Sequence, residues 1–501
     1  MNVFPGVGFT TPAAGHGKFR RGVTVILQTI CAFAAHPDVL AAAPQPQTEA
    51  SPTPAAKPAQ QPNIVFIFAD DLGFGDIGAN GGPFDTPNID LLAARGTNFR
   101  NFTVASPVCS PSRAAIVTGQ YPDRNGVRRH FSHIPDHQRN GMPDWLDVDA
   151  PSIARIMRRA GYATGHFGKW HLTNRGVPDA PLPSAYGYDR YAVFNGPGPQ
   201  TDAHQVFRDA ELFIRENKAR PFFLNLWIHE THTPHVPDPK FLERYARLDE
   251  QTRAYAAAVA SADAGIGRIL GALDSLGMTK NTLVIFSSDN GPEFTRGESE
   301  RYLRTDPDAV VPGRDPLGLY FSKGLTGGLR GRKRDLWEGG IRVPFIVSWP
   351  GVVKAGSTDD RSIINAIDVF PTLSQVVGVD PSSEGRVDGE SLVGLLHGDA
   401  FRRRSPLFWH RDGAGSDGKP RGAVSAVRDG RWKMIRSEPE GKTELYDLDA
   451  DRAEEHDVAA KHPQVVKDLS LRLDAWRASL PKQPPARTLS VYRKYPDLAP
   501  R

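Results

Sequence analysis

Cysteine is nearly missing from this chain of 501 residues, which holds only Cys31 and Cys109. A disulfide-stapled framework is therefore excluded. Cys31 falls in an N-terminal stretch expected to be removed, which would leave one thiol and no intramolecular bridge. Charge of one sign is equally scarce. The 61 Lys and Arg oppose 57 Asp and Glu for a net +4, too little to mark a nucleic-acid-binding protein. The apolar stretch Val23 to Ala35 falls short of the roughly 20 residues of a membrane span, so no stable membrane insertion is expected. No internal repeat is visible. What remains is a chain longer than one typical domain and able to bury a sizeable core.

Lys18, Arg20 and Arg21 precede the apolar stretch, and small residues follow at Ala32-Phe33-Ala34 and Ala41-Ala42-Ala43. This is the pattern of an export signal, with either site open to cleavage. Residues 1–43 are read as that signal region and residues 44–61, rich in Pro, Ala and Gln, as a disordered linker. Gln28-Thr29-Ile30 before Cys31 matches lipoprotein processing poorly, so no lipid anchor is expected. Export with so few cysteines points to a bacterial periplasm, or to secretion.

From Asn63 onward, apolar strands alternate with amphipathic helices. Asn63 to Ala69, Pro221 to Ile228 and Thr282 to Ser287 read as buried strands. Ser152 stands as the cap of a short helix with Ile153, Ile156, Met157 and Ala160 on one face. Tyr255, Val259, Ile266, Ile269 and Leu273 trace a long helix closed near Gly277. Residues 62–395 thus form an α/β domain with a largely parallel sheet flanked by helices. The pattern then changes. Ala423 to Val427 and Arg431 to Ile435 flank a turn at Asp429-Gly430, and Thr443 to Leu448 adds a strand. Gln464 to Leu480 follows as a helix with Val465, Leu469, Leu471, Leu473 and Trp476 in its core face. Residues 396–501 are read as a smaller lobe of antiparallel sheet and helix.

Chemistry concentrates at Cys109-Ser110-Pro111-Ser112-Arg113, where an irregular segment enters a helix. Pro111 suits a first helical turn, whose free N–H groups and dipole favour an anion. Arg113 adds a planar fork matched to a tetrahedral oxyanion. The alternatives are a buried structural cysteine beside a structural arginine, or a thiolate nucleophile activated by the helix terminus. Two further pairs, Asp70-Asp71 and Asp289-Asn290, each follow an apolar strand directly. Ligands gather at the carboxyl ends of such strands, so the pairs can converge into a hard oxygen site for Ca²⁺ or Mg²⁺. Taken singly, each pair reads as readily as a turn or cap. Three histidines and a glutamate stand in Ile228-His229-Glu230-Thr231-His232-Thr233-Pro234-His235, but their spacing fits no zinc motif. Lys169 and His171, two apart in a strand-like stretch, point to one side. Arg330-Gly331-Arg332-Lys333-Arg334 is a basic run that alone would be a solvated face.

The run from Cys109 through Thr118-Gly119-Gln120-Tyr121-Pro122 resembles the signature of the type I sulfatases, of the arylsulfatase A and N-acetylgalactosamine-6-sulfatase types, in the alkaline phosphatase superfamily. Gly168-Lys169-Trp170-His171 resembles the second signature of that family, and the matches extend to Glu444-Leu445-Tyr446-Asp447-Leu448. The resemblance implies an alkaline-phosphatase-like fold and hydrolysis of sulfate esters. It implies that Cys109 is converted by a formylglycine-generating or sulfatase-maturating enzyme to formylglycine, whose hydrated aldehyde attacks sulfur. By the same resemblance Asp70, Asp71, Asp289, Asn290 and residue 109 hold a cation, usually calcium, that polarises a sulfate oxygen. Arg113, Lys169 and Lys333 would hold sulfate oxygens, and His232 would protonate the leaving oxygen. His171 would be the base that releases sulfate from the enzyme. His229 and His235 are expected to be structural or rim residues. Glu293 to Leu325, rich in Gly, Arg and Pro, is expected to be a long specificity loop. Sulfated carbohydrates are the expected substrates, with aryl sulfates as surrogates. The alternatives are a phosphomonoester or phosphonate ester hydrolase of the same superfamily, and a non-catalytic protein that binds sulfated ligands.

Overall fold

The computed structural model describes residues 61–195, 203–235, 238–293, 322–412, 422–438 and 440–495. The expected signal region and all but the last residue of the linker lie outside the described residues, as do positions 294–321 of the expected loop.

Fourteen strands are present among the described residues. In chain order they are β1 (Asn63–Ala69), β2 (Thr97–Phe99), β3 (Phe102–Thr103), β4 (Ala163–Lys169), β5 (Arg190–Phe194), β6 (Phe222–Trp227) and β7 (Thr282–Ser288). Then come β8 (Phe345–Ser348), β9 (Ser357–Asp359), β10 (Ile364–Asn365), β11 (Leu407–Arg411), β12 (Val424–Asp429), β13 (Trp432–Ser437) and β14 (Lys442–Asp447). Eight of them build one sheet in the order β5-β4-β6-β1-β7-β8-β2-β9. The block from β5 to β7 is parallel throughout, whereas β8 runs antiparallel to both β7 and β2. This is the mixed but mostly parallel α/β sheet that the alternation of strands and helices predicts.

Alternation along β1 supplies two cores. Ile64, Phe66 and Phe68 face one side, and Val65, Ile67 and Ala69 face the other. The second side is covered by helices Ala203–Glu216 and Glu250–Ser275. Asp249 caps the longer helix, its carboxylate accepting from the Thr252 backbone N–H at 3.1 Å. Tyr255, Val259, Ile266, Ile269 and Leu273 are all buried along that helix. Among the described residues it is the one helix long and apolar enough to cross a membrane, and 72% of its apolar window is buried inside the protein.

Two local expectations are corrected. Ser152 precedes helix Ile153–Arg159 but does not cap it with its side chain. Its buried hydroxyl instead donates to the Tyr186 carbonyl at 2.5 Å, satisfying an acceptor that has no water to turn to. Leu471 is 62% exposed, while Leu469, Leu473 and Trp476 of helix Pro463–Ala478 are buried. At about 100° per residue, position 471 lies opposite the face that 469 and 473 share.

Strands β11 to β14 form an antiparallel sheet in sequential order. Its core is continuous with that of the large sheet. Phe408 stacks on Trp476 with ring centroids 5.1 Å apart, and the Trp409 indole N–H donates to the Val104 carbonyl at 2.7 Å. Beneath them lies a buried ion network. Lys433 of β13 sits 2.9 Å from Glu338 and 2.8 Å from Glu454, and Arg342 also pairs with Glu338. Although burial opposes ionisation of Glu338, Arg342, Lys433 and Arg428 hold its carboxyl well below the usual range. Replacing Lys433 with Met would leave two buried carboxylates without their shared ammonium. The expected loss is about 3–5 kcal/mol, read by urea denaturation of wild type and Lys433→Met. A loss below about 1 kcal/mol would contradict this role.

Candidate active site

Parallel strands β4, β6, β1 and β7 lie side by side, so their carboxyl ends meet at one edge of the sheet. Pairing of Phe68 with Trp227 and of Ala69 with Ser288 sets the register. Asp70 is thereby level with His229 on one side and Asp289 on the other. Asp71 takes a left-handed backbone (φ 62°), a region that Asp enters more readily than most residues. Its N–H donates to Asp289 Oδ1 at 3.1 Å, and Asn290 Nδ2 donates to Asp71 Oδ1 at 2.7 Å. The two acidic pairs, more than two hundred residues apart in sequence, form one cluster with no exposed surface.

Cys109 is the first residue of helix Cys109–Thr118, entered from extended Val108 and closed by Gly119 at φ 64°. Pro111 occupies the first turn. Cys109 Sγ lies 3.6 Å from Asp70 Oδ1 and 3.7 Å from Lys169 Nζ. One turn further on, Arg113 is fully buried. Its Nη2 donates to Asp289 Oδ2 at 2.6 Å and lies 3.2 Å from Asp70 Oδ1. The guanidinium also lies over the Phe68 and Trp227 rings, at 5.6 and 5.1 Å from their centroids. The Arg113 fork is thus engaged by carboxylates. Lys169 Nζ donates to Asp70 Oδ2 at 2.6 Å, and Lys333 Nζ to Asp71 Oδ2 at 2.5 Å. Within the basic run, Lys333 is the residue that reaches the acidic cluster, while Arg334 turns to Glu293 at 2.7 Å.

Lys169 closes β4, but His171 leaves the strand with φ 49°. The expectation that strand geometry aligns these two side chains is therefore corrected. Gly168 (φ 107°) creates the bend, and a Cβ there would stand 2.0 Å from the Trp227 carbonyl oxygen. His171 Nε2 is 3.0 Å from the Phe131 carbonyl oxygen, and its buried Nδ1 has no hydrogen-bond partner. His232 Nε2 is 3.7 Å from Asp71 Oδ2. His229, expected to be structural or at the rim, is in the cluster itself: its Nδ1 is 2.5 Å from Asp70 Oδ2 and its ring stacks on His232 at 4.6 Å. Strand register, which the sequence does not reveal, places it beside Asp70, since both stand two residues beyond paired strand positions. His235 packs against the Tyr255 ring, with centroids 5.4 Å apart.

Burial dominates the electrostatics. It would raise the Asp70 carboxyl, but Lys169, His232, Arg113 and His229 outweigh it and hold that group well below the usual range. Asp71 is raised by burial despite Lys333, and Asp289 is pushed up to about 7 by burial and by the charge on Asp70. Burial also pushes the Cys109 thiol up, even with Lys169 and Lys333 nearby. The side chain is therefore a neutral thiol, which removes support from the thiolate reading. Burial and neighbouring lysines lower His171 and His232 well below the ordinary histidine value, so both rings are neutral.

The donor set suits a hard divalent cation. Three carboxylates converge, and the Asn290 side-chain oxygen is buried with no hydrogen-bond partner. Donor atoms of Asp70, Asp71, Cys109 and His232 lie within 4.8 Å of one another. In chelator, folded Asp289 keeps its proton up to about pH 7, whereas the unfolded carboxyl releases it near 3.8. The folded state then binds more protons across that window, so its contribution to stability falls as pH rises from about 4 to 7. Urea denaturation from pH 5 to 8 is expected to show a shallower decline for Asp289→Asn than for wild type. An unchanged slope would contradict the assignment.

Comparison with known proteins adds to this geometry. The sulfatase family model matches residues 62–379, and the model for the C-terminal part of N-sulphoglucosamine sulphohydrolase matches residues 331–479. The chain is 32% identical to human arylsulfatase A over 425 residues, covering 75% of each chain. It is 27% identical to the N-acetylgalactosamine-6-O-sulfatase of Bacteroides thetaiotaomicron, covering 83% of this chain and 93% of that one. The solved structure of Ps i-CgsB in complex with k-i-k-neocarrahexaose is 26% identical with a TM-score of 0.69, covering 88% of this chain and 98% of that one. With a family model spanning well over half its length and an edge of buried carboxylates, lysines and a helix-borne cysteine, this chain belongs to the sulfatases, hydrolases of sulfuric esters.

Proposed function

We propose that this sulfatase acts on sulfated saccharides, with Cys109 converted to formylglycine and Ca²⁺ held by Asp70, Asp71, Asp289 and Asn290. The observation that carries the reading is the position of Cys109: the first residue of a buried helix, in contact with both Asp70 and Lys169. When present, formylglycine supplies a hydroxyl nucleophile and the cation polarises a sulfate oxygen. Residue 109 would join the cation's ligands, as its neighbourhood to Asp70 allows.

The remaining steps belong to the chain's own side chains. Lys169 and Lys333 offer positive charge beside residue 109, where negative charge grows on the sulfate oxygens. Arg113 balances Asp70 and Asp289, which keeps both carboxylates turned toward the cation. His232 is neutral in the free enzyme, so it serves the leaving alkoxide as an acid only after the negative charge of a bound sulfate ester has drawn a proton onto its ring. His171 is the base: the Phe131 carbonyl fixes the ring proton on Nε2 and leaves the Nδ1 lone pair free to take a proton from a hydroxyl on residue 109. Its neutral state at working pH is a requirement of that role. Cys109 is only 3% exposed, so we assign its conversion by a maturating enzyme to a stage before folding is complete. Residues 1–43 provide the export signal, to the periplasm of a bacterium or to the outside.

Saccharides are favoured over steroids by two relatives that align along nearly their whole length. The N-acetylgalactosamine-6-O-sulfatase and the carrageenan-oligosaccharide complex align over 93% and 98% of their lengths. The mouse steryl-sulfatase aligns over 69% of its own. A phosphonate monoester hydrolase from Agrobacterium radiobacter shares the fold, at 24% identity and a TM-score of 0.58.

The test is release of sulfate and of phosphate from matched 4-nitrophenyl esters and from a panel of sulfated oligosaccharides. Sulfate release is expected to exceed phosphate release, at least one sulfated saccharide should be desulfated, and Cys109→Ala should retain the fold while losing at least about 10³-fold in kcat. Preferential phosphate release, or full turnover by a folded Cys109→Ala, would overturn the proposal.

A further inference from the structure

A cavity of about 700 Å³ lies between the large domain and the small sheet. None of the residues gathered around Cys109 lines it. Arginine dominates its walls, and most of those arginines are already engaged. Arg342 pairs with Glu338, Arg403 with Asp368, Arg431 with Asp447 and Arg452 with Asp360. Three others stand apart from this pattern.

Arg428 is the most telling. It is 3% exposed and lines the cavity. Its Nε donates to the Gly430 carbonyl at 3.1 Å and its Nη1 to Asn101 Oδ1 at 3.0 Å, and no described carboxylate lies within ion-pair distance. A buried guanidinium whose direct partners are all neutral is offset only by carboxylates beyond contact distance, which leaves it able to pair with an anion. Burial accordingly pushes it down to about 10, against the more distant Glu338. Arg361 and Arg402 line the same cavity from exposed positions, and neither guanidinium bonds to any described residue. Acidic groups do not cancel them. Of the carboxylates in the lining, Asp360 is taken by Arg452 and Asp429 by Arg472 at 3.0 Å, which leaves Asp449.

We propose that this cavity is a second oxyanion site, separate from the reaction centre, which takes a sulfate group of a polyanionic saccharide. Arg428 is its buried anchor, and Arg361 and Arg402 are its rim. Planar guanidinium forks match tetrahedral oxyanions, and an arriving sulfate supplies the directly contacting anion that Arg428 lacks. The chemistry asks only for such an oxyanion, and free sulfate or phosphate meets it too. The choice of a saccharide as its source rests on the substrate reading above. Such a site would hold a sulfated polymer on the enzyme independently of the bond being cleaved.

Calorimetric titration of the full chain at low salt tests this with four probes: a sulfated carrageenan hexasaccharide, its desulfated counterpart, inorganic sulfate and inorganic phosphate. The double variant Arg361→Glu/Arg402→Glu changes exposed residues, and its melting temperature checks the fold. It is compared in the wild-type and Lys333→Ala backgrounds, the latter weakening the reaction centre. In both backgrounds the double change is expected to weaken binding of the sulfated hexasaccharide at least about tenfold, with no binding of the desulfated sugar. Equal affinity before and after the double change would overturn the site. Inorganic sulfate or phosphate binding as tightly as the hexasaccharide, and lost in the double variant, would overturn the saccharide as ligand in favour of the free anion. A chain that binds here but releases no sulfate would overturn the catalytic reading and leave the cavity's assignment standing.

Discussion

Asp70, Asp71 and Asp289 bring three carboxylates together where no water reaches them, and the surrounding architecture answers the repulsion this creates. In a medium of low dielectric, like charges at such spacing are relieved by retained protons, as at Asp289, and by cations in direct contact. Arg113, Lys169 and Lys333 are those cations. Each arrives from a different element: a helix, the end of β4, and the segment before Glu338. The requirement also fixes Cys109. Positions 109 and 113 share a helix face, so the pairing of Arg113 with Asp70 and Asp289 carries the cysteine to its place beside Asp70. The position of Cys109 is a consequence of charge neutralisation one turn further along.

The small sheet takes part in the same arrangement. Lys333 stands five residues before Glu338, whose carboxylate is clamped by Lys433 of β13 and whose backbone N–H donates to Glu454 at 2.5 Å. A second buried ion network, built largely from the C-terminal lobe, thus anchors the segment that delivers one of the three balancing cations. The continuous core across the two sheets serves the same end. A lobe that first looks like an appendage is part of how the buried cluster beside Cys109 is held.

Much of this was legible in the sequence because it is carried by local patterns. Apolar strands followed at once by Asp-Asp and Asp-Asn, together with the parallel order of β1 and β7, are enough to predict that the pairs meet. The cysteine and arginine four apart at a helix start likewise forecast a shared face. What was hidden depends on three-dimensional pairing. His229 enters the cluster because β6 pairs with β1 in a register that composition does not reveal. His171 leaves its strand because Gly168 bends the chain against Trp227. Arg113 looked like an open oxyanion fork and is instead enclosed by two carboxylates, since an arginine's partners are set by tertiary contacts. β11, with its short run Leu-Phe-Trp-His-Arg, carries neither clean alternation nor a turn pair, and packing alone defines it. Leu471 shows the converse error, a leucine assigned to the core from hydrophobicity when its helical angle points outward.

The proposed chemistry rests on residue 109. In the thiol form it is buried, neutral and poorly suited to attack, and the proposed conversion would give the surrounding cations and neutral histidines a nucleophile to serve. The most direct measurement is the mass of the Cys109-containing peptide from protein purified out of its native host. The account predicts formylglycine in place of cysteine at that position. An unmodified cysteine in active, natively produced protein would contradict it.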